Sequence, residues 1–156
     1  HGIIIDVREM AYGLRPVGWN HLGLVHTIAQ YCEDFTAKNR TKVDFFSAGI
    51  DESELDIDTK IMLYLLIQEC LNNIKKHACA DSAIIRLVKS FPDIILRIED
   101  DGKGFNMQER MEAAFKEKRM GLQNIEQRVS LLEGEMDIQS RQMKGTKISI
   151  KIPYNP

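Results

Sequence analysis

The chain has 156 residues, 44% of them hydrophobic, which suits one globular domain with a buried core. Its 21 basic and 23 acidic residues leave a net charge of −2, so the composition does not indicate a nucleic-acid or membrane-surface partner. No apolar stretch approaches the roughly 20 residues that cross a bilayer. We therefore predict a cytoplasmic domain that binds no nucleic acid and is not inserted in a membrane.

The three cysteines, Cys32, Cys70 and Cys79, are odd in number and lack the short paired spacings of a zinc site. This pattern favours a reducing compartment over a secreted domain held together by disulfides. We predict that all three are ordinary buried or half-buried thiols.

The first half of the chain has the periodicity of helices separated by a strand. The predicted elements are a helical tail over residues 3–13 that ends before Pro16, a helix over 22–38, a strand over 42–46 and a long helix over 58–78. Asp56 or Asp58 is the predicted N-cap of the long helix, because aspartate accepts hydrogen bonds from the free N–H groups of a first turn.

The second half combines two hairpins with one amphipathic helix. The predicted elements are strands over residues 82–89 and 93–99, a mobile charged segment over 106–120, a helix over 121–132, and strands over 135–140 and 146–153. Helices together with hairpins predict an α+β fold, a two-layer α/β sandwich. Its single mixed, mostly antiparallel sheet would carry helices on one face.

The long helix contains IQECLNNIKKHA, residues 67–78, in which Glu69, Asn73 and Lys76 share one face at spacings of four and three. Apolar residues occupy that face one turn earlier, so only its C-terminal half should border something polar. The pattern fits the wall of a pocket, and it also fits a helix end exposed to solvent.

The stretch DDGKGF, residues 100–105, directly follows an apolar strand. It lacks the series of oxygen ligands and the closing glutamate of a calcium loop, which argues against a metal site. A turn explains one Asp-Gly pair, whereas two glycines, Gly102 and Gly104, also allow the backbone to approach a ligand. This stretch alone favours a turn, with a ligand contact as the alternative.

Two more glycines occur where a helix or a strand begins. Gly121 opens the amphipathic helix, where free N–H groups, the helix dipole and Arg119 would suit a phosphate, although a glycine N-cap is an equal explanation. Lys144-Gly145-Thr146 lies at a hairpin turn, where glycine supplies a positive φ.

In this order the motifs resemble the ATP-binding domain shared by gyrase, Hsp90, MutL and sensor histidine kinases. The match is closest to the catalytic domain of two-component histidine kinases of the nitrate and nitrite sensor subfamily. QECLNNIKKHA resembles the N-box, DDGKGF the first glycine box, and GLQNIEQRVSLLEGEMDIQS with the following GT the second glycine region. REMAYGLRP resembles the subfamily's junction, which implies the end of a dimerisation helix and a junction over residues 1–16. Residues 17–156 would then be an ATPase catalytic domain with the Bergerat-type ATP-binding fold.

The resemblance implies that the domain binds ATP and Mg²⁺, with residues 106–120 as the ATP lid. Asp100 would accept a hydrogen bond from the adenine amino group, with Thr146 nearby and Asp101 in a structural role. Asn73 would coordinate Mg²⁺, while Glu69 and Lys76 would act in catalysis. The remaining implied ATP-binding residues are His77, Gly102, Gly104, Gly121 and Leu122.

The implied activity is transfer of the γ-phosphoryl group of ATP to a histidine on the protein's own dimerisation domain, within a homodimer, and then to a response regulator. That histidine is not expected in this chain, and an inner-membrane anchor in the full-length protein is compatible with the resemblance. One alternative is a gyrase- or MutL-type ATPase, with Glu69 as the base. Another is a degenerate nucleotide-binding or partner-binding module, suggested by Arg119 where the family often has glycine.

Overall fold

The computed structural model describes residues 19–109, 112 and 121–154. The helices are α1 (Trp19–Lys38), α2 (Ile57–Asn73) and α3 (Gly121–Leu131), and the strands are β1 (Lys42–Ala48), β2 (Ser82–Ser90), β3 (Asp93–Asp100), β4 (Glu135–Ser140) and β5 (Thr146–Pro153). The predicted helices and strands that fall here are confirmed with small changes at their ends. The predictions for residues 1–16, and for most of 106–120, lie outside the described residues.

The five strands form one sheet in the order β1-β2-β3-β5-β4. β1 runs parallel to β2 and the other three neighbouring pairs are antiparallel, which confirms the mixed, mostly antiparallel sheet. The parallel pair arises because α2 carries the chain between its strands, whereas short turns join β2 to β3 and β4 to β5. The register of β3 with β5 places Asp100 opposite Thr146.

One face of the sheet is buried beneath the helices. Leu87, Leu96 and Ile150 are fully buried on this face, whereas Arg97 on the other face is exposed. Every residue of Ile61–Ile67 in α2 is buried, so this half of the helix is covered on all sides, as predicted. Helices in the described part of the chain fall short of the length and apolar character that a bilayer-spanning helix requires.

The long helix begins at an ordinary aspartate N-cap but ends in an irregular turn. Its N-cap is Asp56 rather than Asp58, since the Asp56 side chain accepts a hydrogen bond from the Thr59 N–H at 2.6 Å. After Asn73 the helix widens into a π-helical turn over Ile74–Ala78, so the predicted helix over 58–78 has two parts. Such turns change the direction of the side chains that follow and are frequent at functional sites.

Helix α1 contains a break that its sequence pattern did not predict. Gly23 has a φ of 78° and is not helical, and the Leu24 N–H after it donates to the Glu52 carboxylate. Glu52 comes from a short 3₁₀ turn after β1. A side chain from a distant segment therefore caps the second part of the helix.

The prediction for the cysteines is confirmed at two positions. Cys32 and Cys70 are buried, and burial raises the pKa of both thiols to about 12. The prediction is wrong for Cys79, which is exposed because it ends the π-helical turn in a left-handed conformation outside the core.

Candidate functional site

A cavity of about 200 Å³ lies between the C-terminal end of α2 and the edge of the sheet where β3 ends and β5 begins. Apolar side chains from all three elements and from α3 form much of its wall: Ile74, Ile98, Leu122 and Ile148. The polar side chains that reach it are Asn73, His77, Asp100, Lys103 and Thr146. An apolar cavity with a few converging polar groups is typical of a small-molecule site.

Asp100 is the acidic group in this cavity. Its Oδ1 accepts a hydrogen bond from the Gly102 N–H at 2.8 Å, and within the described part of the chain Oδ2 has no hydrogen-bond partner. Burial raises the pKa of Asp100, the Gly102 hydrogen bond lowers it, and the charge of Asp101 raises it further. The carboxylate is therefore positioned to accept a hydrogen bond from a ligand.

Asp101 points away from the cavity and holds the beginning of β2. Its Oδ1 accepts hydrogen bonds from the N–H groups of Asp81 at 2.9 Å and Ser82 at 3.0 Å, and its Oδ2 accepts from the Ser82 hydroxyl at 2.9 Å. The hydrogen bonds from Ser82 hold the pKa of Asp101 below its ordinary value. These contacts agree with the structural role predicted for Asp101.

We expect Asp101→Ala to destabilise the domain by about 1 to 2 kcal/mol at neutral pH, because three donors lose their acceptor but remain near water. The pKa of Asp101 is lowered in the folded protein, so its contribution is fully present above the ordinary pKa of 3.8. This contribution to stability is lost as the pH falls below 3.8 and through the lower pKa that Asp101 has in the folded protein. Urea unfolding of both proteins between pH 7 and pH 3 measures the difference.

The control for this substitution is Asp137→Ala on β4. The exposed Asp137 carboxylate accepts a long hydrogen bond, 3.3 Å from Gln139 Nε2. The free energy of unfolding of Asp137→Ala should match that of the wild type at every pH. A destabilisation by Asp101→Ala that does not shrink on acidification would show that the charge of Asp101 is not responsible.

The two glycines of DDGKGF lie against the protein's own backbone. A Cβ at Gly102 would clash with the carbonyl oxygen of Ala78, and the neighbouring Lys103 N–H donates to that oxygen at 2.7 Å. Gly104 has a φ of 58°, and a Cβ there would clash with the carbonyl oxygen of Arg141. Close packing of the loop against the π-helical turn and against the β4–β5 turn accounts for both glycines, and Gly104 also lines the cavity.

Asn73 is the residue predicted to hold the metal ion, and its side chain lines the cavity. Its buried Nδ2 has no hydrogen-bond partner among the residues that the structure describes. Such an arrangement costs about 1 to 3 kcal/mol unless a ligand satisfies the amide. The amide oxygen and nitrogen exchange places by a rotation, so either atom fits a ligand at this position.

The described residues contain no group of three or more His, Cys, Asp or Glu side chains that would hold a metal ion by themselves. Mg²⁺ does not require one, because it is commonly bound by one or two protein oxygens together with water and the phosphates of a nucleotide. One amide oxygen from Asn73 fits this kind of shared coordination.

Most of the predicted ATP-binding residues meet in the cavity. Those lining it are Asn73, His77, Asp100, Gly104, Leu122 and Thr146. Gly121 is the first residue of α3, as predicted. Glu69 is half-buried one turn before Asn73, and Lys76 is exposed. The described residues that line the cavity do not include Glu69, Lys76 or Gly102.

Sequence reasoning missed several residues of the wall. Lys103 and Phe105 lie within DDGKGF, between and after its two glycines, so their position in the motif was an available signal. Cys70 and Ala78 also line the cavity, although neither belongs to the polar face of Glu69, Asn73 and Lys76. Ala78 ends the π-helical turn, a local change that a regular helical projection does not include.

A family model described as the histidine kinase-, DNA gyrase B- and HSP90-like ATPase matches residues 58–156, which include every predicted site residue. The chain belongs to this ATPase family. Membership confirms the family resemblance of the N-box and glycine motifs, residues of which line the cavity at the end of α2.

Curated relatives of this ATPase domain are named as sensor histidine kinases. The chain is 33% identical over 150 residues to the signal transduction histidine-protein kinase/phosphatase DegS of Brevibacillus brevis, covering 96% of this chain and 37% of DegS. It is 34% identical over 153 residues to the sensor histidine kinase ComP of Bacillus subtilis, covering 96% of this chain and 19% of ComP. The chain thus spans less than two fifths of the length of these relatives.

Solved structures confirm the fold of the ATPase domain. The histidine kinase domain of a blue-light activated histidine kinase from Erythrobacter litoralis superposes with a TM-score of 0.69 at 21% identity, covering 98% of this chain and 77% of that one. The Acinetobacter baumannii histidine kinase AdeS gives a TM-score of 0.65 at 16% identity, with 96% and 75% covered.

Proposed function

We propose that this domain binds Mg-ATP and donates the γ-phosphoryl group to a histidine on a separate dimerisation domain of the same protein. The observation that carries the proposal is one cavity that contains both an acceptor for the base, Asp100, and an unsatisfied amide for the metal-bound phosphates, Asn73. The names of the curated relatives support a sensor kinase over other members of the family.

The enclosed part of the cavity suits the adenine base. Its apolar wall, which includes Ile98 and Ile148, would contact the faces of the ring, while the Asp100 carboxylate would accept from the amino group. Guanine presents a carbonyl oxygen where adenine has its amino group, so a carboxylate at this position would favour adenine. A volume of about 200 Å³ is below the ~300–1,000 Å³ of sites for drug-sized ligands, so the phosphates would extend beyond it.

The phosphates would lie along the end of α2 and the beginning of α3. Asn73 would supply an oxygen ligand to Mg²⁺, His77 lies on the same wall, and the first N–H groups of α3 at Gly121 would face negative charge. Bound Mg²⁺ would neutralise charge on the transferring phosphoryl group. Lys76 and Glu69 are proposed to act on that group when the acceptor domain is docked.

The proposed partners are the protein's own dimerisation domain, in a homodimer, and a response regulator. The names of DegS and ComP as signal-transduction and sensor kinases support this assignment. Phosphoryl transfer would then need the acceptor histidine to approach the cavity from its open side, where the γ-phosphate would lie.

We expect the domain, supplied with γ-labelled Mg-ATP and a purified dimerisation domain, to label that partner in an acid-labile, alkali-stable bond typical of phosphohistidine. A dimerisation domain with its histidine replaced by glutamine is the control and should remain unlabelled. Steady release of ADP by the domain alone, without labelling, would indicate a gyrase- or MutL-type ATPase. ATP binding without either reaction would indicate a binding module.

Glu69 would also serve the ATPase alternative, in which it would activate the attacking water. Its half-buried side chain does not line the cavity, but the γ-phosphate would lie beyond the cavity, so the labelling experiment rather than the position of Glu69 separates the two mechanisms.

A further inference from the structure

Lys103 is the only lysine or arginine among the described residues that line the cavity. The acid in the same wall, Asp100, would repel the phosphates of a nucleotide, and the Asn73 amide carries no charge. A triphosphate remains negative after Mg²⁺ binds, so a positive group at this site would favour such a ligand. The sequence motifs did not assign Lys103 to the site.

The backbone of Lys103 is held on both sides. Its N–H donates to the Ala78 carbonyl oxygen at 2.7 Å, and its carbonyl oxygen accepts from the Met143 N–H at 2.5 Å. The glycines before and after it, Gly102 and Gly104, lie so close to other backbone that neither has room for a Cβ. The side chain of Lys103 therefore starts from a fixed point.

The Lys103 ammonium is unpaired within the described part of the chain. Its side chain is exposed, and no hydrogen bond or ion pair joins it to another described residue. Glu109 lines an open depression that Lys103 also borders, yet these two side chains form no ion pair. The ammonium is a compact charge on a flexible four-carbon stem, so it is available to a ligand.

Lys103 stands at the rim of the cavity. It borders both the cavity and the open depression beside it. Its N–H is bonded to Ala78, the last residue of the π-helical turn, and His77 directly before Ala78 lies on the wall proposed to face the phosphates. A flexible cation at this rim can reach a charged group that projects beyond the cavity.

We propose that Lys103 binds the phosphate groups of the nucleotide, and that its ammonium supplies positive charge where the phosphates leave the cavity. This inference rests on the proposed function, since it requires that the cavity binds a nucleotide. Lys103 acts on the charge of the ligand, so its contribution should grow with the number of phosphates and should not depend on the base.

A series of ligands with the same base and different charge tests the proposal. The affinities of Mg-ATP and Mg-ADP are measured by calorimetry, and that of adenosine by NMR titration. Lys103→Met keeps most of the stem and removes the charge, so it should weaken ATP binding roughly 3- to 10-fold. The loss should be smaller for ADP and absent for adenosine. Lys103→Arg should retain most of the wild-type affinity for ATP.

The dependence on salt gives a second measurement. Added salt screens charges that are exposed to water, so the difference in ATP affinity between wild type and Lys103→Met should shrink as the salt concentration rises. The control is Lys151→Met, which removes the same charge from an exposed position on β5 away from the cavity. It should change neither the affinities nor their salt dependence.

The outcomes distinguish this inference from the proposed function. If the wild type binds ATP and Lys103→Met binds it equally well, the inference is wrong while the function stands. An equal loss of adenosine and ATP affinity in Lys103→Met would also overturn it, because the residue would then act on the base or on the fold. So would a loss for ATP that does not change with salt. A wild type that binds no ATP would overturn both.

Discussion

Asp100→Asn is expected to weaken Mg-ATP binding roughly 10- to 150-fold, which corresponds to the loss of one charge-assisted hydrogen bond of about 1.5 to 3 kcal/mol. The carboxylate is an acceptor at both oxygens, whereas an amide brings an NH₂ group that opposes the amino group of adenine. Asp100 is the only acidic side chain among the described residues that line the cavity, so no neighbouring acid replaces it.

The same substitution should leave the stability of the unliganded domain unchanged or slightly higher. Burial is the main cause of the raised pKa of Asp100, which means that the ionised carboxylate is unfavourable in the folded protein. The stability associated with Asp100 is therefore greatest below the ordinary carboxyl pKa and is lost as the pH rises through the raised folded value. At pH 7 the neutral amide avoids this cost and still accepts from the Gly102 N–H.

Calorimetric titration with Mg-ATP and thermal unfolding of the unliganded protein measure both parts of this prediction. Asp93→Asn, at the other end of β3 and away from the cavity, is the matched control and should bind like the wild type. Unchanged affinity in Asp100→Asn would show that another group contacts the base. A large fall in the melting temperature would attribute the lost binding to misfolding.

Asn73→Ala is expected to remove the Mg²⁺ dependence of ATP binding and to reduce phosphoryl transfer roughly 100-fold or more, the effect of losing one group that stabilises transition-state charge. Wild-type affinity should depend on Mg²⁺, whereas the variant should bind ATP almost equally with Mg²⁺ and with a chelator. Stability should change little, because the buried Nδ2 of Asn73 makes no hydrogen bond within the described part of the chain.

Asn72→Ala is the matched control, because Asn72 precedes Asn73 in α2 and is exposed. Its ATP affinity should keep the wild-type dependence on Mg²⁺. A variant at Asn73 that retains the full Mg²⁺ effect would place the metal ligand elsewhere. A titration of each protein with ATP at several Mg²⁺ concentrations gives the comparison.

The sequence by itself determined the secondary structure, the family and most of the residues of the candidate site. Helical and alternating periodicities are local properties, so the helix over 58–78 and the strand over 93–99 were predicted to within a few residues. Four short motifs in the order typical of the family identified it where no single motif did. The family resemblance implied that Asn73, Asp100 and Thr146 belong to one site, and these three residues do line one cavity.

The tertiary structure alone decided how those residues are held. Two contacts, Glu52 capping α1 at Leu24 and Ala78 against Gly102, join segments that no local pattern relates. The exposure of Cys79 likewise follows from the π-helical turn, a departure from the regular period on which its predicted burial depended. Strand register and helix packing bring these groups together, and both depend on the whole core rather than on any one stretch of sequence.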